Sequence, residues 1–311
     1  MLLALRPRLP YAPRTVRICV IFNPSAKGDK ARHFRRHLDE IGAESGLKLT
    51  SGPGDARRLA TEAVAERYGV VVAAGGDGTV NEVLNGIADA PEGFERTRLG
   101  VLPLGTVNVF ARELGIPQKL EPAWRIIRDG KEIRIDLPWV EHGEAANRSR
   151  RYFVQLAGAG LDARAIELVN WQLKRKVGPL AYVIAGLRAM LDTPPKISVS
   201  GGGSKSVGGL VLLGNGRLYG GTYRVFPKAA MRDGLLDACI FPKVNWWILA
   251  RCGPQLLLKG NLPSGVVETF QAETISLSSP TPVPLEVDGE LIGHLPAWFG
   301  IERERLRVAV V

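Results

Sequence analysis

Residues 70–87 predict a buried strand, a glycine-rich turn and a helix, in that order. The strand is expected at 70–74, an apolar run without alternation that is typical of a parallel-sheet strand covered on both faces. The turn follows as Gly75-Gly76-Asp77-Gly78, and apolar residues at helical spacing come after it. The first amides of such a helix and the positive end of its dipole favour an anion above the turn. The unit therefore predicts a phosphate site within an α/β domain.

Two side-chain patterns accompany this unit. Thr79 and Glu82 have the spacing of a capping box, in which both side chains accept hydrogen bonds from backbone N–H groups at the helix start. Asp77 places a carboxylate among the amides that would hold a phosphate. Because two anions repel, we expect a cation such as Mg²⁺ between them. A simple tight turn between strand and helix is the alternative interpretation.

Three other predicted strands bring polar residues towards the same edge of the sheet. One strand ends before Asn23, a second ends at Thr50, and a third runs over 99–103. The third leads into a Gly-Thr turn that contains Thr106 and Asn108, and a helix follows. Because the carboxyl ends of parallel strands form one edge, where ligands bind in open α/β sheets, we expect these residues beside the glycine-rich turn.

The second half of the chain has a different texture. Short strands separated by Gly, Pro and polar turns predict an antiparallel β-sandwich. We therefore divide the chain into an α/β domain over 1–132, which the C-terminal segment can complete, and a β-rich domain over 133–311. The polar stretch 142–151 is expected to be a surface loop. The group Lys174-Arg175-Lys176, close to Trp171, suits a membrane interface, and a solvated helix face is an equal alternative.

The composition is that of a globular protein long enough for two domains. Of its 311 residues 45% are hydrophobic and 23% charged, and the net charge is +10. An anionic partner is expected, and since no run matches an RNA- or DNA-binding module, we expect a membrane surface and no nucleic acid. Three cysteines without metal spacing favour a reducing compartment, the cytoplasm. The longest apolar segment, 177–191, is too short to span a membrane, which predicts peripheral association.

Four ordered blocks of the sequence resemble the diacylglycerol kinase catalytic-domain family, which includes bacterial lipid kinases and is related to sphingosine kinases. GGDGTVNEVLNG at 75–86 resembles its nucleotide-binding motif. PLGTVNVFARELGIP at 103–117 resembles its second signature, with Val109 where bacterial members commonly carry Asp and sphingosine kinases carry an apolar residue. The blocks at 214–237 and 285–290 complete the match. GGDGT alone also occurs in NAD kinases, which are not expected to carry the second block.

The resemblance implies an N-terminal doubly wound α/β nucleotide-binding domain, similar to phosphofructokinases and NAD kinases, with a C-terminal antiparallel β-sandwich. It implies an ATP-dependent lipid kinase that uses Mg²⁺ and phosphorylates diacylglycerol or a sphingoid-type lipid. Glu290 matches the general base, with Asp288 orienting it or the metal, and Asp77 would act through Mg²⁺. The implied nucleotide contacts are Asn23, Thr50, Gly75, Gly76, Asp77, Gly78, Thr79, Val80, Asn81, Glu82, Thr106 and Asn108.

The resemblance also implies a structural Mg²⁺ held by the Asp233 carboxylate and the main-chain carbonyls of Ala230 and Leu235. Oxygen ligands suit this hard cation. A hairpin turn at Asp233-Gly234 is the reading from the residues alone.

Two other functions stay open at this point. An NAD kinase would be indifferent to lipid, and a lipid sensor would bind nucleotide without turnover; the carboxylates of Asp77, Asp233 and Glu290 speak against the sensor. The lipid acceptor and a homodimer are left open by the sequence. A P-loop enzyme is excluded because no G-x-x-x-x-G-K-[ST] motif occurs.

Overall fold

The computed structural model describes residues 16–24, 32, 34–35, 38–143, 148–168 and 193–311. Trp171, the basic group at 174–176 and the apolar segment at 177–191 lie outside these residues.

The first half of the described chain alternates strands and helices around a parallel sheet with the order β2-β1-β3-β4. The strands are β1 (Ile18–Phe22), β2 (Gly46–Leu49), β3 (Val70–Gly75) and β4 (Arg98–Pro103). The helices are α1 (Leu38–Glu44), α2 (Asp55–Ala65), α3 (Asp77–Asp89), α4 (Gly93–Arg96), α5 (Val109–Glu113) and α6 (Leu120–Asp129). Every residue of β3 is buried, which confirms the predicted buried strand.

The last strand of the chain extends this parallel sheet. β18 (Ala297–Val310) lies antiparallel to β5 (Lys131–His142), and its Val308 pairs in parallel with Leu99 of β4. Val308 thereby joins the apolar core of the first half. The same ten-stranded sheet continues through the N-terminal part of β18. Its further strands are β6 (Ser149–Tyr152), β8 (Ile197–Gly201), β9 (Ser204–Gly208) and β15 (Thr274–Ser278). The domain limit at 132/133 stays a prediction, since β5 and β18 belong to both halves.

A six-stranded antiparallel sheet with the order β14-β13-β10-β7-β16-β17 forms the second layer of the predicted β-sandwich. Alternate residues such as Ala157, Val211 and Leu285 share a core with Ile275 and Phe299 of the long sheet. The strands are β7 (Leu156–Gly160), β10 (Leu210–Gly214), β13 (Leu236–Phe241), β14 (Glu268–Ala272), β16 (Pro284–Val287) and β17 (Glu290–His294).

Two helices and a short ribbon complete the described chain. They are α7 (Leu161–Glu167), β11 (Leu218–Tyr219), β12 (Tyr223–Arg224) and α8 (Trp246–Lys259). α8 packs through Cys252 against Cys239 and Phe241 of β13, on the sheet face opposite the sandwich core. Burial raises the pKa of the Cys239 thiol to about 12. No helix of the described residues is long and apolar enough to cross a membrane.

The predicted capping box at Thr79 and Glu82 is wrong. α3 begins at Asp77 with Gly76 as its N-cap, and no side chain caps it. The Glu82 carboxylate instead accepts hydrogen bonds from the backbone N–H groups of Gly54 and Ala56, each at 3.0 Å. Gly54, the N-cap of α2, has no side chain to satisfy these amides. The packing of α2 against α3 therefore gives Glu82 a different helix to cap.

Candidate active site

Two loops at the carboxyl ends of β3 and β4 form the floor of the site. The backbone N–H groups of Leu104 and Gly105 donate to the Gly75 carbonyl oxygen at 2.9 and 3.1 Å. A Cβ placed on Gly105 would lie 2.5 Å from the Cα of Gly76. The backbones of the two glycine-containing loops are thus in direct contact. A side chain at Gly105 would prevent this close approach.

Asp77 links these loops through its carboxylate. Its Oδ1 accepts a hydrogen bond of 3.3 Å from the backbone N–H of Phe110, in the first turn of α5. Burial raises the pKa of the Asp77 carboxyl, and hydrogen bonds from the backbone N–H groups of 108–110 oppose this shift. The carboxylate therefore lies at the meeting point of two helix N-termini.

The other predicted nucleotide-contacting residues lie along the same edge. Asn23 donates its backbone N–H to the Ala74 carbonyl at 3.3 Å, and Thr50 donates to that of Phe22 at 3.0 Å. The exposed Thr106 lies at the tip of the second loop. These contacts follow from the parallel strand order, in which neighbouring strands end together.

Asn108 has a different environment from Thr106. Its side chain is buried; the amide donates to the Gly105 carbonyl at 2.8 Å, and Oδ1 accepts from the Gly105 N–H at 3.0 Å. Its φ of 53° lies in the left-handed region, which Asn tolerates better than most residues. In this structure Asn108 shapes the second loop, and its direct contact with a nucleotide stays a prediction.

The turn between β16 and β17 reaches the site from the second sheet. The Asp288 carboxylate accepts hydrogen bonds from the backbone N–H groups of Val154, Gln155 and Leu156 at 2.9, 3.0 and 3.2 Å. The side-chain amide of Asn81 in α3 donates to it at 2.8 Å. Burial raises the pKa of the Asp288 carboxyl, and these four donors oppose the shift. Asp288 therefore joins α3 to the loop after β6 and to its own turn.

Glu290 lies directly over the glycine-rich turn. A Cβ placed on Gly78 would be 2.9 Å from the Glu290 Oε1. The other carboxylate oxygen pairs with the guanidinium of Arg151, which also donates to the Asn81 Oδ1 at 2.7 and 3.1 Å. Two residues predicted to belong to different domains, Gly78 and Glu290, are thus brought into one site.

Arg151 is the site residue that sequence reasoning missed. The stretch 142–151 was expected to be a surface loop, but Ser149–Tyr152 form β6, which pairs with β5. The signal available in the sequence was the position of Arg151 directly before Tyr152-Phe153, a pair that is typical of a strand. Alternation along β6 turns Arg151 towards α3, whereas Arg150 contacts Glu141 of β5.

A pair of buried carboxyl groups supports the β16–β17 turn from behind. Glu286 accepts a hydrogen bond of 2.8 Å from the backbone N–H of Gly289, and Tyr219 donates its hydroxyl to Asp162. Both carboxyl groups lie over Gly158, because a Cβ there would be 2.7 Å from Glu286 Oε1 and 2.8 Å from Asp162 Oδ2. Burial raises the pKa of both carboxyls, and the negative charge of Asp162 raises the pKa of the Glu286 carboxyl further. Neither Asp162 nor Glu286 is among the predicted site residues.

The predicted ligands of the structural Mg²⁺ take part in hydrogen bonds of their own turn. Within the described ranges, no group of three or more His, Cys, Asp or Glu side chains could hold a metal. The Asp233 carboxylate accepts from the Leu235 N–H at 3.0 Å, and the Ala230 carbonyl from the Arg232 N–H at 2.7 Å. Mg²⁺ in phosphate sites needs only one or two carboxylates, with phosphate and water oxygens as further ligands. Asp77 fits that donor set, and the structural Mg²⁺ at 230–235 stays a prediction.

Comparisons with known proteins assign the chain to a family. Residues 17–140 match the model of the diacylglycerol kinase catalytic domain. Residues 155–310 match a domain described as the YegS C-terminal NAD kinase beta sandwich-like domain. The chain belongs to the diacylglycerol kinase family. The two matched regions of this kinase family member follow each other in the chain. Gly78 lies in the first region and Glu290 in the second.

Named relatives agree with this assignment. A diacylglycerol kinase of Staphylococcus aureus is 34% identical over 295 residues, which cover 90% of this chain and 88% of the relative. One from Staphylococcus carnosus is 33% identical over 293 residues, 90% of each chain. A crystal structure of a diacylglycerol kinase from Bacillus anthracis superposes with a TM-score of 0.74 at 21% identity and covers 96% of this chain and 99% of that one. The structural likeness, at this identity, shows the shared fold.

Proposed function

We propose that this diacylglycerol kinase family member transfers the γ-phosphate of ATP to the hydroxyl group of a lipid, with diacylglycerol as the first candidate acceptor. One observation carries the proposal: Glu290 of the second sheet lies over Gly78 in the glycine-rich turn of the first. A base and a phosphate site on opposite walls of one cleft suit a transfer between two substrates.

The nucleotide phosphates would lie along Gly76–Gly78 at the start of α3, a helix of 13 residues. Its first N–H groups have no partner within the helix, and its dipole favours an anion there. When bound with the nucleotide, Mg²⁺ would neutralise charge on the phosphates, and Asp77 is the residue that would hold it.

Glu290 would accept the proton of the lipid hydroxyl as the bond to phosphorus forms. In this structure its carboxylate is paired with Arg151. A guanidinium binds phosphate as well as carboxylate, so an arriving phosphate would draw Arg151 away from Glu290. That exchange would leave Glu290 as a free base beside a neutralised phosphoryl group, while Arg151 keeps its hydrogen bonds to Asn81.

A lipid acceptor implies work at a membrane surface, and we place the protein on the cytoplasmic side as a peripheral enzyme. The names of the relatives support a lipid over NAD as acceptor.

The test is incubation of the purified protein with labelled ATP, Mg²⁺ and either diacylglycerol, a sphingoid lipid or NAD. We expect label in the diacylglycerol product. Label in NAD alone would replace the proposal by an NAD kinase, and nucleotide binding without any transfer would replace it by a lipid sensor. Omission of Mg²⁺ should abolish the transfer.

A further inference from the structure

Helix α8 presents an apolar side to solvent. Trp246 and Trp247 in its first turn are 52% and 84% exposed, and Leu258 near its end is 85% exposed. Ala250 and Pro254 lie between them on the same side and are also exposed. These five residues form what we call the α8 face.

The opposite side of the helix is already in use. Cys252 is buried against Cys239, Phe241 and Val266 beneath the helix. An amphipathic helix on a protein surface normally turns charged or polar residues to solvent. α8 instead has apolar residues on both sides, so the α8 face is expected to contact a partner.

The chain segment that contains the α8 face carries positive charge and no negative charge. Between Asp237 and Glu268 the sequence contains no acidic residue, and this stretch carries Lys243, Arg251 and Lys259. Arg251 lies within α8 and donates to the carbonyl oxygen of Ser264 at 3.3 Å. This acceptor is uncharged and does not neutralise the guanidinium. The partner must therefore accept indole rings and tolerate or attract cations.

We propose that the α8 face binds the surface of an anionic lipid bilayer, with α8 lying in the plane of the interface. Tryptophan prefers the boundary between headgroups and acyl chains, and lysine and arginine at the rim are attracted to anionic headgroups. A second copy of this chain fits less well, because two cationic faces would repel each other. The inference rests on the proposed lipid kinase function and names the surface by which the enzyme would reach its substrate.

The position of the helix is compatible with that role. Glu286 alternates with the core residues Leu285 and Val287, so it points to the outer face of the six-stranded sheet, where α8 also packs. A bilayer at the α8 face would thus lie on the same side of the six-stranded sheet as Glu286, next to the turn that carries Glu290.

The experiment measures sedimentation of the protein with vesicles of phosphatidylglycerol and phosphatidylcholine, without ATP. The variant carries Trp246→Ala and Trp247→Ala. We expect its vesicle affinity to fall by about tenfold or more, because the two inserting rings are lost. At about 1 M salt, where the Debye length is about 3 Å, binding of the parent should also fall steeply.

Matched controls separate the α8 face from general apolar exposure. Leu258→Ala, on the face, should weaken vesicle binding, and Val207→Ala, at a residue 53% exposed on β9, should not. The thermal midpoints of all variants should equal that of the parent because the altered side chains are exposed. Detergent-dispersed diacylglycerol should be phosphorylated equally by parent and variants.

Equal sedimentation of the parent and the double Trp variant would overturn the proposal. So would a parent that is dimeric without lipid and a variant that is monomeric, since the α8 face would then join two copies. If no protein phosphorylates lipid but vesicle binding depends on the two tryptophans, the kinase function fails and the docking surface stands.

Discussion

Glu290 and Arg151 constrain each other at the scale of single residues. Their ion pair lies over Gly78, with side-chain exposures of 35% for Glu290 and 22% for Arg151. Asn81 holds the guanidinium from below through two contacts. A carboxylate in this position can accept a proton, and an arginine can bind a phosphate, but the pair must separate for both to act.

Replacement of Glu290 by Gln should leave a folded, nearly inactive protein. The amide keeps the size of the side chain and removes the basic oxygen, so phosphoryl transfer should fall by about 100-fold or more while ATP binding is not weakened. Lipid phosphorylation rates and a nucleotide-binding titration measure this. A parental rate in the variant would mean that another group accepts the proton, with Asp288 as the next candidate.

Replacement of Arg151 by Gln should weaken ATP binding more than AMP binding, because the lost cation is expected to contact the terminal phosphates. We expect a loss of at least about tenfold for ATP, or about 1.4 kcal/mol. Titrations with ATP, ADP and AMP measure the contrast. Arg150→Gln is the control, since Arg150 contacts Glu141 and stacks over Trp139 on the other side of β6. Equal losses for ATP and AMP would indicate a merely structural Arg151.

At the scale of elements, short turns and strand ends hold the charged groups of the site. The β16–β17 turn has positive φ angles at Asp288 and Gly289, 47° and 86°, and is held by hydrogen bonds from the loop after β6.

β13 also has a buried carboxyl group at its start. Asp237 receives a hydrogen bond of 3.1 Å from Gln271 of β14, and burial raises its pKa to about 6.

The raised pKa of Asp237 makes the free energy of unfolding of the protein depend on pH. The ordinary value for the carboxyl is 3.8, so between that pH and about 6 the folded state binds the additional proton. The contribution of Asp237 to stability is therefore complete below the unfolded value and is lost as the pH rises through about 6. Asp237→Asn, which keeps the hydrogen-bonding shape, should remove this dependence.

Urea unfolding of parent and Asp237→Asn at about pH 4 and pH 7 measures the effect, because protonation linkage changes the unfolding free energy. The variant should gain stability relative to the parent as the pH increases. A constant difference between the two proteins across this range would show that Asp237 titrates at its ordinary pKa. Because both proteins have the same other carboxyl groups, the contributions of those groups cancel in the difference between the two unfolding free energies.

At the scale of the whole molecule, β18 joins the two halves into one fold. Its N-terminal part lies in the sandwich with Phe299 in that core, and its C-terminal part lies in the parallel sheet with Val308 in the other core. β5 pairs with it in antiparallel orientation over both parts, with a shift of register between Glu302 and Leu306. β18, paired with β5, therefore runs from one apolar core to the other.

Val308→Ala should destabilise the protein by about 2 kcal/mol, because it removes buried methyl groups between β4 and β5 and leaves a cavity. The matched control is Val311→Ala, where the side chain is 71% exposed and the cost should stay below about 0.5 kcal/mol. Chemical denaturation measures both. Equal stability of the two variants would mean that the C-terminal strand contributes little to the core of the first half.

Local pattern in the sequence was sufficient for the family and the fold class. Patterns that depend on residues close together in the chain were enough. They are the apolar run at 70–74, the glycines after it and the many short strands of the second half. They correctly indicated β3, an α/β domain and a β-sandwich. The four family blocks added Asp288 and Glu290 as residues of interest, although neither role could be worked out from spacing.

Only the tertiary structure decided which partners the charged residues find. Arg151 meets Glu290 across 139 positions, and Asn81 meets Asp288 across 207. Glu82 fits the pattern of a cap for its own helix, yet it caps α2, because that helix packs against α3 and lacks a side-chain cap. Periodicity reports neighbours within a few residues. The approach of distant strand ends depends on sheet order, which pairings between residues far apart in the chain, such as Val308 with Leu99, help to determine.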